Sequence, residues 1–171
     1  MDRSVLSTMS AVDAVVALRS LSRRFREAFR PSELTGEMGA VDVTQASPSG
    51  GRSPLELVLA ATKALETLQT AVEATLTRDE PELDPVLLDR DRRDAVPPQG
   101  SVTDALARLT SVAEQFAARV EHVSARDWTR RARVGGATLT ALELLQEAVA
   151  SARTYLDELQ KSLDELRRAR T

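Results

Sequence analysis

Four times along the chain a serine or threonine stands three residues ahead of an acidic residue, and apolar residues then recur at three- and four-residue steps. The pairs are Ser10 and Asp13, Ser53 and Glu56, Ser101 and Asp104, and Thr140 and Glu143. A hydroxyl at a helix N-cap accepts from the amide three residues on, and a carboxylate there can reach back to the cap, so each pair predicts a helix start. The first helix runs from about 10 to 30, with Val12, Val15, Leu18, Leu21, Phe25 and Phe29 as its apolar stripe and Pro31 as its stop. The second carries Pro54 at its first position, where a missing N–H costs nothing, and then Val58, Ala61, Leu65, Leu68, Val72 and Leu76. Leu106, Leu109, Val112, Phe116, Val120 and Val123 mark the third, which ends near Ser124. Leu145, Ala148, Ala152, Leu156, Leu159, Leu163 and Leu166 mark the fourth, roughly 30 residues and about 45 Å long. No segment keeps the two-residue period of a strand for long. The expectation is an all-α chain, residues 1–171 forming a single domain: a four-helix bundle with long crossover connections.

Those connections are unusually long for a compact domain. Residues 31–52, PSELTGEMGAVDVTQASPSGGR, read as a polar loop and a possible flap. Residues 77–100 hold four prolines and dense charge, which predicts a crossover and no fifth helix. Asp89, Asp91 and Asp94 have the look of a calcium loop, but Arg93 and Asp94 occupy the place of the turn glycine and Gly100 that of the closing glutamate. A turn and a basic loop, TRRARVGG, lead to the fourth helix. The C-terminal heptads LDELQKS and LDELRRA leave two readings open, packing within the bundle or pairing with a second chain.

Composition removes several classes of function. With no cysteine there is no disulfide, thiolate ligand or cysteine nucleophile. Lysine and arginine number 23 against 26 acidic residues, a net charge of -3, which lacks the positive field of a dedicated nucleic-acid binder. The N-terminus reads as mature protein, no run is long and apolar enough to span a membrane, and a cytoplasmic location is expected. Neither a phosphate-binding nor a dinucleotide-binding glycine motif occurs.

In order and spacing, SPLELVLAATKALE at 53–66, DEPELDPVLLDRDRRDA with SVTDALARL at 79–109, and VSARDWTRRARVGGATLTALELLQEAVASARTYLDEL at 123–159 resemble the DinB-like superfamily of helical bundles, which includes bacillithiol- and mycothiol-dependent transferases and isomerases. Metal-binding members of that family place one histidine in the second helix and two, four residues apart, in the fourth. The resemblance assigns those places to Ala60, Ser151 and Tyr155, so all three histidines are missing. Alanine has no donor atom, serine is a poor neutral ligand, and a tyrosine must first lose its phenolic proton. No metal and no cofactor is therefore expected.

Two readings of the emptied site stay open: Tyr155 packs its ring while its hydroxyl finds a backbone or water partner, or a retained ligand pocket is lined by Ala60, Glu147, Ser151 and Tyr155. His122, the single histidine, reads as a helix-end residue and Trp128 as a plug at the end of the bundle. The arginines of the first helix (Arg19, Arg23, Arg24, Arg26, Arg30) and of the later loop (Arg126, Arg130, Arg131, Arg133) read as solvated faces, with phosphate or nucleic-acid binding as a disfavoured second use. The leading expectation is a non-metal, non-catalytic DinB-like protein that binds a small ligand or serves as a scaffold, a homodimer without membrane attachment. The family also suggests a stress association. A thiol-dependent transferase or isomerase with a relocated site is the enzymatic alternative.

Overall fold

The computed structural model describes residues 8–171. Its elements are α1 (Ala11–Ala28), α2 (Pro31–Thr35), α3 (Pro54–Thr77), β1 (Glu82–Leu83), a 3-10 turn at Pro85–Leu88, α4 (Arg90–Arg93), α5 (Val102–Val120), a second 3-10 turn at Asp127–Thr129, β2 (Arg131–Val134), β3 (Ala137–Thr140) and α6 (Ala141–Ala169). The four long helices begin where the capping pairs place them. The amides of Asp13, Glu56, Asp104 and Glu143 donate to the hydroxyls of Ser10, Ser53, Ser101 and Thr140. Glu56 and Glu143 also accept from the cap amides of Ser53 and Thr140, at 2.7 Å each, completing two capping boxes.

α1 packs on α5 and α6, and α3 packs on the same two helices, so α1 and α3 stand at opposite corners of the bundle. This arrangement explains the first long connection, which has to cross from one corner to the diagonal one. It is not the free flap suggested by its composition. Val41 and Val43 are buried, the amide of Leu55 donates to the carbonyl of Val43, and Ser47 is also buried. Pro31, besides stopping α1, opens the short α2, whose Glu33 is buried and paired with Arg167 from the last turns of α6.

The apolar stripes meet in one core that includes Leu18, Leu21, Phe25, Leu65, Leu68, Leu106, Leu109, Phe116, Leu145, Leu156 and Tyr155. Val12 is a correction. It is 73% exposed, because the inward face of α1 is set by Ala14, Val15, Leu18 and Leu21. Leu159, Leu163 and Leu166 of the C-terminal heptads are buried within the chain, so intramolecular packing accounts for their spacing.

The basic loop is in part a hairpin. Arg131–Val134 pairs antiparallel with Ala137–Thr140 around Gly135 and Gly136, and β1 joins in parallel opposite Arg133 and Val134. Ala132 and Val134 alternate inward and are fully buried. Gly135 sits at φ +61°, the left-handed conformation that a two-residue hairpin turn requires, with Pro85 and Leu88 within 4 Å of where a Cβ would lie. Trp128 is buried in the 3-10 turn that packs on α6.

Ser53→Ala removes the cap of α3, the helix that packs most extensively against α6. It is expected to lower the unfolding free energy by about 1 kcal/mol in urea titration, with the slope unchanged.

Candidate functional site

Where α6 passes the second crossover, the fold buries charge. α4 is a single turn whose N-cap, Asp89, accepts from the amide of Arg92 at 3.3 Å. Leu87, buried just before it, fixes the chain against the bundle, and the two residues at the end of α4, Arg93 and Asp94, are carried inside with it. Arg93 is 3% exposed and Asp94 0%. Charged side chains this deep persist only when paired and hydrogen-bonded.

The pairing is nearly complete. Arg93 donates from Nε to Asp94 Oδ1 at 2.7 Å and from Nη2 to Asp94 Oδ2 at 2.8 Å, a two-pronged ion pair. The same Nη2 donates to Ser151 Oγ at 2.8 Å, while Nη1 donates to the carbonyl of Leu87 at 3.3 Å and to Glu147 Oε1 at 3.4 Å. Ser151 in turn donates to Glu147 Oε1 at 3.2 Å. From the next turn of α6 the Tyr155 hydroxyl donates to Asp94 Oδ2 at 2.6 Å. Thus Asp94 accepts from two side chains, and Arg93 and Asp94 together tie a crossover turn to three successive turns of α6.

Tyr155 is fully buried and lies beside two further cations. The guanidinium carbon of Arg90 is 4.3 Å from its ring centroid and that of Arg52 is 5.4 Å away. Arg90 also holds Glu158 at 2.7 Å. Burial, and then the bond to the Asp94 carboxylate, push the Tyr155 phenol above its ordinary value, with Arg90 and Arg52 pulling the other way. Burial acts to lower the Arg93 pKa, but hydrogen bonding and attraction to Asp94 outweigh it and hold the guanidinium charged.

Glu147, Ser151 and Tyr155 therefore belong to one network, while Ala60, fully buried on α3, brings to it no polar atom. The protein partner of the Tyr155 hydroxyl is the Asp94 carboxylate, in place of the backbone or water partner expected from the sequence. Sequence reasoning meets Arg93 and Asp94 only in the rejected calcium loop and gives them no part in the site. The aspartates read as a failed calcium loop have other work: Asp89 caps α4 and Asp94 closes the buried ion pair.

The helix order, the crossovers and the hairpin together decide the fold. It is a four-helix bundle with long crossover connections. YfiT from Bacillus subtilis, described as a probable metal-dependent hydrolase with an unusual four-helix bundle topology, superposes with a TM-score of 0.70 over 90% of this chain and 89% of its own, at 14% identity. No family model and no curated protein matches the sequence. On this framework the donor set does not fit a divalent metal ion. The three places that the resemblance gives to ligands hold a methyl group, a hydroxyl already bonded to a guanidinium, and a phenol already bonded to a carboxylate. The Arg93 cation would also repel a metal at contact distance. Among the described residues, no three histidine, cysteine, aspartate or glutamate side chains are grouped to hold one.

The remaining sequence candidates lie apart from the network. His122 follows the end of α5, 90% exposed and 3.4 Å from Glu121. The first arginine cluster is partly neutralised by Arg19–Glu121 and Arg23–Glu27, and in the second Arg133 faces Glu82 while Arg130 donates to the carbonyls of Thr75 and Arg78 at the end of α3.

Two predictions follow from this geometry. Arg93→Leu leaves Asp94 buried without its counter-charge and is expected to cost about 3–5 kcal/mol in chemical denaturation, whereas the double change Arg93→Leu with Asp94→Leu recovers most of that loss. Tyr155 is the single tyrosine, so its ionisation can be read directly from absorbance near 295 nm. In the folded protein the tyrosinate signal is expected to appear at higher pH than in the urea-unfolded chain. Because the folded pKa is the higher one, this stabilisation is complete below the unfolded value near 10 and is lost as pH rises through the folded value.

Proposed function

We propose that this chain is a non-metal, non-catalytic member of the DinB-like bundles, acting as a small-ligand-binding or scaffold protein. The observation that carries this reading is the Arg93–Asp94 pair bonded to Ser151 and Tyr155. It sets a permanent protein cation against the positions where the resemblance expects metal ligands. A guanidinium has no vacant coordination position and stays protonated near neutral pH, so it supplies charge without Lewis acidity.

The enzymatic alternative, a thiol-dependent transferase with a relocated site, draws less support from the same residues. Tyr155, the best acid–base candidate, is shifted away from neutrality, and its proton is engaged by Asp94. Nucleic-acid binding likewise loses support, since acidic partners and backbone carbonyls occupy several of the arginines. A homodimer remains part of the proposal, although it has to use a surface other than the buried heptad leucines. Among the described residues no helix is long and apolar enough to cross a membrane. A cytoplasmic, stress-associated role stays within the proposal on the family resemblance alone.

Elemental analysis of protein purified without an affinity tag or chelator tests the central point. The expected result is no stoichiometric transition metal, together with a melting temperature unmoved by added nickel, zinc or EDTA. Stoichiometric metal, or stabilisation by it, overturns the reading.

A further inference from the structure

The middle of the first connection is held less firmly than its ends. Ahead of it, both oxygens of Glu33 are bonded to Arg167 at 2.8 Å, and beyond it Ser53 is fixed in the capping box of α3. Between these anchors, residues 40–49 bury Val41, Val43 and Ser47, while Asp42, Thr44, Gln45, Ala46, Pro48 and Ser49 are exposed. Among the described residues, one backbone hydrogen bond joins this segment to the four long helices, from the Leu55 amide to the Val43 carbonyl at 3.0 Å. A side-chain bond from Ser49 to Glu165, at 2.5 Å, pins it to α6. The bonds of Thr44 and Gln45 to Asp42 are turns within the segment itself.

The seam beneath the segment is poorly filled. Three clefts follow it along α6: one of about 200 Å³ between residues 47–52 and 158–165, one of about 610 Å³ between residues 40–48 and 166–170, and one of about 330 Å³ between residues 30–41 and 167–171. Atoms that face such voids lose dispersion contacts, so the apolar hold falls on Val41 and Val43. Ordering ten residues of backbone costs conformational entropy that this little burial does not offset with much to spare, which places the segment at the low end of local stability. Glycines stand at both of its ends. Gly39, Gly50 and Gly51 have φ of +91°, +87° and +101°, and nothing lies within 4 Å of where a Cβ would be, so the backbone is free to rotate there.

We propose that residues 40–49 are a hinged lid, closed in this structure, which swings as a unit on Gly39 and on Gly50 with Gly51 and uncovers the C-terminal turns of α6 while the four long helices stay packed. Opening breaks the Leu55–Val43 and Ser49–Glu165 bonds, withdraws two valine side chains and merges the clefts into one groove that ends at Arg52, beside Tyr155. The lid is a property of the chain's own fold and rests neither on the metal question nor on the binding reading above, so its failure would leave both unaffected.

Native-state hydrogen exchange of the full chain tests it. The Leu55 amide has its acceptor in the lid, whereas the Leu57 amide donates to Ser53 at the start of the same helix and so controls for fraying. Leu55 is expected to be protected, yet to exchange about tenfold or more faster than Leu57. Because the chain has no cysteine, one introduced thiol gives a second reading: that of Ser47→Cys, buried in the lid, is expected to react with a thiol reagent through the same opening, far faster than that of Thr62→Cys, buried in α3. Ser49→Ala releases the lid from Glu165 and is expected to raise both lid rates by about three- to tenfold, with Leu57 unmoved. Val43→Ala removes an apolar anchor and is expected to raise them further. Three outcomes overturn the proposal: Leu55 exchanging as fast as in an unstructured peptide, Leu55 exchanging as slowly as Leu57, or a failure of the Leu55 amide and the Ser47→Cys thiol to respond together to Ser49→Ala and Val43→Ala.

Discussion

The ion pair between Arg93 and Asp94 is the constraint around which this bundle is arranged. Taking two charges out of water is costly, and their mutual attraction offsets that cost only if their remaining hydrogen-bonding capacity is also met. Here the Leu87 carbonyl, Ser151, Glu147 and Tyr155 meet it, and those groups come from the crossover turn and from three turns of α6. The buried pair therefore fixes the crossover against one helix in one register. It also fixes more than its neighbours. The 3-10 turn that carries Leu87 is in contact, through Pro85 and Leu88, with Gly135 of the hairpin, and the hairpin holds β1 at the start of the same crossover.

How far the sequence could be read follows from the range of each signal. Helix starts are local: a cap, a reciprocal carboxylate and a proline lie within four residues, and at Ser53 all three act together. The inward stripes were also legible, with Val12 misread because it fits the three-residue step as well as Ala14 and Val15 fit the true face. The hairpin was legible in principle, since Gly135–Gly136 between two four-residue segments is a recognised turn signal, but Arg131 and Arg133 on the outer positions disguised the alternation as a basic loop. Nothing local distinguishes Arg93 and Asp94 from the other charges of DRDRRD. Their burial depends on Ser151 and Tyr155, more than fifty residues away, and on the depth at which Leu87 anchors the turn. The resemblance singled out Ala60, Ser151 and Tyr155 without indicating that Arg93 and Asp94 meet two of them.

The buried ion pair sets the chemistry available at the centre of the fold. A metal offers exchangeable coordination positions and lowers the pKa of whatever it binds. A guanidinium fixed by a carboxylate offers directional hydrogen bonds, a constant charge and no ready proton. Tyr155, whose phenol would have to ionise to act as a base, is instead held protonated as a donor to Asp94 while its ring receives Arg90 and Arg52. The interactions at this centre hold one geometry, with each donor of Arg93 and of Tyr155 already engaged by an acceptor.

That geometry has an outward consequence. Arg90, stacked on Tyr155, spends one donor on Glu158, so this carboxylate is not free to neutralise Arg52. Arg52 lies beside the same aromatic ring, its guanidinium carbon 5.4 Å from the centroid. The buried ion pair and the arginines on the ring thus form a single electrostatic arrangement. Asp94 holds the Tyr155 hydroxyl, and the Tyr155 ring carries the two arginines. A loss of Tyr155 would therefore be felt twice, in the burial of Asp94 without one of its two donors and in the placement of Arg52 and Arg90, which would lose the ring they stack on.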